Sequence, residues 1–410
     1  MSVARLASTD SNLREGRQSD SVSPTSECVF RPQRRFAGHE RLRLPDTRVR
    51  GAVRSRRSYL TPVRLARQRA MVVVTMGNSQ WQHYLPEVYL RGFATGTGEV
   101  WRYDRLDKAL KLLPPRVIGA ERDLYSIVNG EEVSQEIESR WFNPLDGWFG
   151  PIFRKLQNQI EVSPVERTRL ADFVAYLRVR TPAFIRESEL RFRQFDAQVG
   201  VPRDSIKYHS GPPDHGCDSY VMTEEKSGKV SPRRSEAAAR NGILEVLVKT
   251  GLHLAHALAA LDWTLLLTPR GRSFVIGDSP FVIVPPKSHQ IDLEGVGPLV
   301  PGAATFVPLS AAVCLRMTGT RGLTIRRQVD GTAVRAINAC QVLNSERFLF
   351  GRSDALLNRL TAEHVDSSGL NPAEVVVRQA ASASDPSRSL IHSFTKSKIP
   401  PNWADKVPLD

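Results

Sequence analysis

Three residues of this chain carry side chains suited to chemistry: His83, Arg180 and Asp278. An imidazole titrates near neutral pH and is the commonest general acid or base. His83 is followed by Tyr84, Glu87 and Arg91, which gather polar groups in an otherwise apolar segment. Arg180 precedes Thr181-Pro182 at an expected helix break, where a guanidinium can clamp a phosphate or carboxylate bidentately. Asp278 follows an apolar run and precedes Ser279-Pro280, a place from which a carboxylate serves as base or metal ligand. Glu87, Ser279 and Asn344 complete the candidate ligand-binding set. Each has a structural alternative. His83 can cap local backbone beside Pro86, and Arg180 can bond free carbonyls at the break. Asp278 and Ser279 can form a hydrogen-bonded turn before proline, and Asn344 can hold a buried loop.

Other groupings carry less. His253 and His256 lie three apart on an expected helix, but no HExxH carboxylate accompanies them, so they read as core histidines. Asp214-His215-Gly216-Cys217-Asp218, with His209 upstream, matches no zinc spacing, and no metal site is expected. The chain has no Walker loop, no GxGxxG after a strand, no GxSxG elbow and no kinase set. The cofactor is therefore unknown from sequence. Gly96-Thr97-Gly98 reads as a turn.

The elements that must position these residues begin after a distinctive N-terminal stretch. The formal net charge is +14, which taken alone suggests nucleic acid or an anionic surface as partner. Residues 1–70 hold 16 arginines, no lysine and six acids, a charge of +10, which leaves +4 for the other 340 residues. Nucleic acid is thus not supported as a partner of residues 76–365, and the partner is unknown. Residues 1–75 read as a disordered Arg-rich segment, either a basic arm or sequence upstream of a true start at Met71 or Met76. The four cysteines are scattered, with no CxxC, which fits a cytoplasmic protein. The most apolar stretch, Leu252–Leu267, contains His253, His256, Asp262 and Trp263, so a buried helix and strand are expected there and no membrane span.

Residues 76–365 read as one α+β domain: an N-terminal strand hairpin, central helices, a largely antiparallel sheet and C-terminal helices. The hairpin pairs residues 100–104 with 109–113. Ile137, Trp141, Leu145, Trp148, Phe149, Ile152, Phe153, Leu156 and Ile160 form one helical face, which Gly150-Pro151 kinks or splits. Ser163-Pro164-Val165-Glu166 is a capping box. Further helices are expected at 184–199, 235–261, 333–349 and 354–363. Strands are expected at 264–267, 273–276, 281–284, 305–307, 313–317 and 323–327. Residues 200–234 read as a mobile loop and 366–410 as a disordered tail.

The block Gln82-His83-Tyr84-Leu85-Pro86-Glu87-Val88-Tyr89-Leu90-Arg91-Gly92-Phe93 resembles the opening of domain-of-unknown-function family 4238 (DUF4238), a widespread microbial family without an established activity. The resemblance extends over most of residues 82–351. It is carried further by Ala120–Tyr125, Glu138, Arg180-Thr181-Pro182, Leu261-Asp262-Trp263, Phe274–Val284, Val307-Pro308-Leu309-Ser310 and Asn344. The family more often has Ser-Asp-Asn-Pro where this chain has Gly277-Asp278-Ser279-Pro280, so an amide is lost and a hydroxyl remains. The resemblance marks positions and implies no reaction.

Two classes of function stay open on this reading. One is a protein that binds an anionic ligand in a pocket lined by His83, Arg180 and Asp278. The other is a hydrolase, phosphoester- or nucleic-acid-directed, using His83 as acid/base, Asp278 for base or metal work and Arg180 for charge. A scaffold or partner-binding role is the third alternative.

Overall fold

The computed structural model describes residues 80–129, 132–158, 160–199, 206–209, 219–223, 232–292, 294–365, 369–381 and 389–407, all within one unit, Met71–Asp410. The Arg-rich segment and the Asp214–Asp218 group lie outside the described residues. In chain order the elements are β1 (Trp81–His83), α1 (Glu87–Leu90), β2 (Val100–Asp104), β3 (Ala109–Leu113), β4 (Ala120–Arg122), β5 (Ile127–Asn129) and β6 (Glu132–Ser134). A π-helical turn (Glu138–Phe142) then leads into α2 (Asn143–Gln157), α3 (Pro164–Val179) and α4 (Pro182–Val199). Next come β7 (Ile206–His209), β8 (Ser219–Thr223), the long α5 (Pro232–Ala260) and β9 (Asp262–Leu267). The second half holds β10 (Ile276–Gly277), β11 (Val282–Val284), β12 (Ala304–Pro308), β13 (Val313–Thr318) and β14 (Thr324–Gln328). The chain closes with α6 (Gly331–Asn344), β15 (Phe348–Gly351), α7 (Asp354–His364), β16 (Val375–Ala381), β17 (Ser389–Thr395) and a 3-10 turn (Pro401–Asp405).

This is an α+β fold, and its sheets are mostly antiparallel. The largest has the order β11-β12-β13-β9-β14, in which only the β9–β14 edge is parallel. The expected hairpin forms, pairing Val100 with Leu113 and Asp104 with Ala109. It does not stand alone: β2 also pairs with β15, some 250 residues later, in a sheet ordered β10-β15-β2-β3.

Local signals explain most element ends. Ser163 accepts from the Glu166 amide and Glu166 returns a bond to the Ser163 amide, the reciprocal capping box that starts α3. Pro182 cannot continue α3, so Arg180 becomes its C-cap and α4 starts afresh. Pro151, by contrast, lies inside an unbroken α2. Gly150 before it has no Cβ to clash with the proline ring. The main core joins α2, α3, α5 and the opening block: Tyr89 sits edge-on to Phe93, Phe149 and Phe173, and its hydroxyl donates to the Pro308 carbonyl. α5 buries Ile243, Leu247 and Leu258 in this core, and Leu254 is half-buried against it. A Cβ on Gly251 would fall 2.5 Å from the Tyr176 ring, so glycine sets that close approach.

Five expectations are corrected. Trp141, Trp148 and Ile160 are exposed, and Phe142 is buried instead of Trp141. The π turn adds a residue between Ile137 and the next inward position, which rotates the face. His253 and His256 are exposed on the outer face of α5, not core. Residues 345–347 leave the helix and 348–349 open β15, because tertiary bonds described below capture the Glu346, Arg347 and Phe348 amides. Within 200–234, β7 and β8 pair with each other, and β8 pairs with β17. The tail from 366 carries β16, β17 and a 3-10 turn, and Ile399, Ala404 and Val407 pack into a second core with Val282, Phe306 and Ile337.

Candidate functional site

Arg180 is the centre of a buried polar cluster. Its guanidinium is 1% exposed; Nη1 donates to Asp146 Oδ1 at 2.9 Å, and Nη2 to Asp146 Oδ2 at 3.3 Å and to the His83 carbonyl at 2.7 Å. It lies over the Phe142 ring at 4.8 Å, and the Tyr125 hydroxyl donates to its main-chain carbonyl. The π turn and the first turn of α2 deliver Phe142 and Asp146 to this place. His83 and Arg180 therefore meet, as a shared site would need, but through the histidine carbonyl and not its ring.

Two titratable groups flank the pair. Burial pushes the His83 imidazole below its ordinary range; a ring hydrogen bond to the Arg116 backbone works against this and the Arg180 charge adds to it. Burial pushes the Glu138 carboxyl up, opposed by Arg180. His83 Nε2 and Glu138 Oε2 are both shielded from solvent without a hydrogen-bond partner among the described residues.

Asp278 serves a different purpose. Its Oδ1 accepts from the Glu346 amide at 2.8 Å, and its Oδ2 from the Arg347 and Phe348 amides at 2.7 and 2.9 Å. Both oxygens are thus committed to the segment between α6 and β15, and no hydrogen bond or ion pair joins Asp278 to His83 or Arg180 among the described residues. In this structure the Asp278 carboxylate latches that main-chain turn. Gly277 beside it packs so tightly on Ser345 that a Cβ would fall 2.7 Å from the serine Cβ. Asn344 is structural too, donating to the Ser279 and Phe281 carbonyls at 2.7 and 3.3 Å. Glu87 forms a surface ion pair with Arg91 at 2.5 Å.

A pocket does form beside these residues. It is lined by Arg178 and Glu187 from the α3–α4 break, Ser279 from the Asp278 loop, Asn344, and Lys396 and Lys398 from the tail. Glu187 is the one carboxylate of this lining, while Lys396 is paired outside it with Asp292 at 3.0 Å and Glu374 at 2.5 Å. Glu187 is buried, which favours its neutral form, yet Arg178 (2.8 Å) and Arg191 hold it ionised and below its usual range. Lys398 donates to the Asn344 and Asn371 carbonyls and has no carboxylate within ion-pair distance among the described residues. Burial lowers its ammonium, opposed by the more distant Asp278, Glu187 and Glu346.

The pocket draws on the residues around Arg180-Thr181-Pro182, Gly277–Pro280 and Asn344, and the family question turns on those blocks. A family model, DUF4238, described as a protein of unknown function, matches residues 81–355. The chain belongs to the DUF4238 family. No curated protein and no solved structure matches it.

The DUF4238 region supplies Arg178, Glu187, Ser279 and Asn344, whereas Lys396 and Lys398 lie beyond the match. Sequence reasoning missed both lysines because it set the tail aside. The signal was there in Ile399, Trp403 and Val407 at four-residue steps across Pro400-Pro401. It also missed Asp146, the partner that neutralises Arg180. No local signal marks Asp146, because a helix neighbour of the buried Leu145 points to a different face.

Proposed function

We propose that this DUF4238 protein binds a small carboxylate anion in the pocket between the α3–α4 break, the Asp278 loop and the Thr395–Lys398 segment. The observation that carries the reading is Lys398: a part-buried ammonium that faces carbonyl dipoles and, among the described residues, lacks a paired carboxylate. Burying a charge without a counter-charge is costly, and an anion beside Lys398 removes that cost; Arg178 and Lys396 line the same pocket but are already paired, with Glu187 and with Asp292 and Glu374. Lysines bind anions as point charges and suit a small carboxylate. Ser279 and Asn344 supply the neutral polar lining. Arg180 and Asp278 act one step back, by holding the helix break and the loop that shape the walls.

The test is thermal unfolding of the full chain with acetate, succinate and citrate at constant ionic strength. A saturable rise in Tm is expected with at least one of them, and Lys398→Met should abolish it relative to its own baseline. No saturable rise with any of the three would contradict the reading.

A second reading is hydrolysis at His83, favoured by the shielded, unpartnered Nε2 beside the Arg180–Asp146 pair. An imidazole kept neutral can take a proton from water. Turnover of phosphodiester or phosphomonoester substrates that disappears in His83→Ala while folding persists would support it; equal turnover in the variant would remove it.

A further inference from the structure

We infer a second anion site, for a phosphate group, in the cleft between the Pro269–Ser273 turn, the first half of α6 and the start of α7. The cleft has a volume of ≈ 260 Å³ and is lined by Arg272, Arg335 and Arg359, with Ser273, Ser353 and Asn338 between them. No carboxylate lines it, and none of the three arginines has an ion-pair partner among the described residues. Arg335 spends one bond on the Thr332 hydroxyl at 3.1 Å. Three guanidinium groups of one sign border a common space, and an anion seated between them is attracted by all three.

The backbone arranges the three deliberately. Gly271 turns at φ +74, a conformation that other side chains rarely adopt, and so delivers Arg272 to the cleft. The Arg272 side chain then lies along the start of α6, where a Cβ on Gly331 would sit 3.3 Å from its Nε. Asn338 fixes the opposite wall, donating to the Ser273 carbonyl at 2.9 Å and accepting from the Val275 amide at 3.0 Å. The eleven-residue α7 begins here, with Ser353 as N-cap, so its positive dipole end adds to the arginine field. Asp354 is turned onto the Ala355 amide and does not line the cleft.

Phosphate is the chemistry this selects. Guanidinium forks pair with phosphate oxygens bidentately, and serine hydroxyls supply neutral donors between them. The volume holds a phosphoryl group with a small attached body, which favours a phosphorylated small molecule over a nucleic-acid strand. This site shares no residue with the carboxylate pocket, so the two proposals stand or fall separately.

The test is isothermal titration of the full chain with inorganic phosphate, pyrophosphate, ribose 5-phosphate, adenosine 5′-monophosphate and a single-stranded oligonucleotide. Saturable binding of phosphate or pyrophosphate is expected, with one of the two phosphoesters tighter and so identifying the attached body. Arg272→Gln and Arg359→Gln should each weaken it roughly tenfold, about 1.4 kcal/mol, and the double variant should abolish it. Both side chains lie on exposed residues, so the variants keep the core intact. Lys398→Met should leave this binding unchanged. Binding that survives in the Arg272→Gln/Arg359→Gln protein, or binding of the oligonucleotide alone, would overturn the inference, as would no binding of any phosphate.

Discussion

Asp146 and Arg180 form an ion pair in which the guanidinium is 1% and the carboxylate side chain 22% exposed, and this pair fixes the junction of α2, α3 and β1. Removing the carboxylate leaves a buried cation without its partner. Asp146→Ala is expected to cost ~3–5 kcal/mol in urea unfolding. Replacing both together, as Asp146→Leu with Arg180→Met, should cost less than Asp146→Ala alone. A double variant as unstable as the single one would contradict the pairing as the source of the effect.

The Asp278 latch makes a different prediction. Asparagine keeps one acceptor and turns an amide group toward main-chain donors, so Asp278→Asn should destabilise by ~1–3 kcal/mol. The loss is local: hydrogen exchange at the Glu346, Arg347 and Phe348 amides should speed up before exchange elsewhere in the sheet. A catalytic aspartate would show the opposite pattern, with activity lost and these amides unchanged.

How much of this was legible in the sequence depends on how local the cause was. The α3 capping box, the β2–β3 hairpin and the inward face of α5 follow from residues a few positions apart. The end of α6 before residue 349 does not, because the Glu346, Arg347 and Phe348 amides are captured by Asp278 almost seventy positions earlier, and a helix signal loses to those tertiary bonds. Trp141 and Phe142 exchanged places because a π turn changes the period without a clear mark in the sequence. At the candidate site, Arg180 meets His83 through the histidine carbonyl and not its ring, while Asp278 bonds the Glu346–Phe348 amides instead. Sequence could not show that Asp146 satisfies the arginine or that Lys396 and Lys398 return from the tail.

The tail supplies a third prediction. Ile399, Ala404 and Val407 fill the second core, and burying a large aliphatic side chain stabilises by ~1.5–3 kcal/mol. A chain ending at Val365 should therefore unfold at markedly lower urea than the full chain and lose carboxylate binding. Equal stability of the two would contradict the packing of the tail.

The His83 ring predicts a pH dependence. Its folded-state pKa lies below the ordinary value of 6.5. The folded protein then binds fewer protons than the unfolded chain, so this contribution to stability is present above 6.5 and lost as pH falls through the folded value. His83→Gln should show a smaller drop in urea midpoint between pH 7 and about 5 than the wild type.

Glu166 adds an acid-side dependence of opposite residue type and the same sign. The Lys155 ion pair and the Ser163 amide hold its carboxyl down at about 2. Its contribution is full above the ordinary carboxyl range and fades as pH falls toward about 2. Ser163→Ala should cost ~1 kcal/mol at neutral pH, and the loss should be read from melts above pH 6.

Lysine acetylation footprinting tests the central claim most directly. The full chain is labelled with an N-hydroxysuccinimide acetyl ester, with and without citrate at the concentration that saturates its thermal shift, and Lys398 is compared with the exposed Lys249 by mass spectrometry. The predicted result is protection of Lys398 by citrate with Lys249 unchanged. Equal labelling of Lys398 with and without the anion would contradict a carboxylate seated in the pocket between the helix break, the Asp278 loop and the tail.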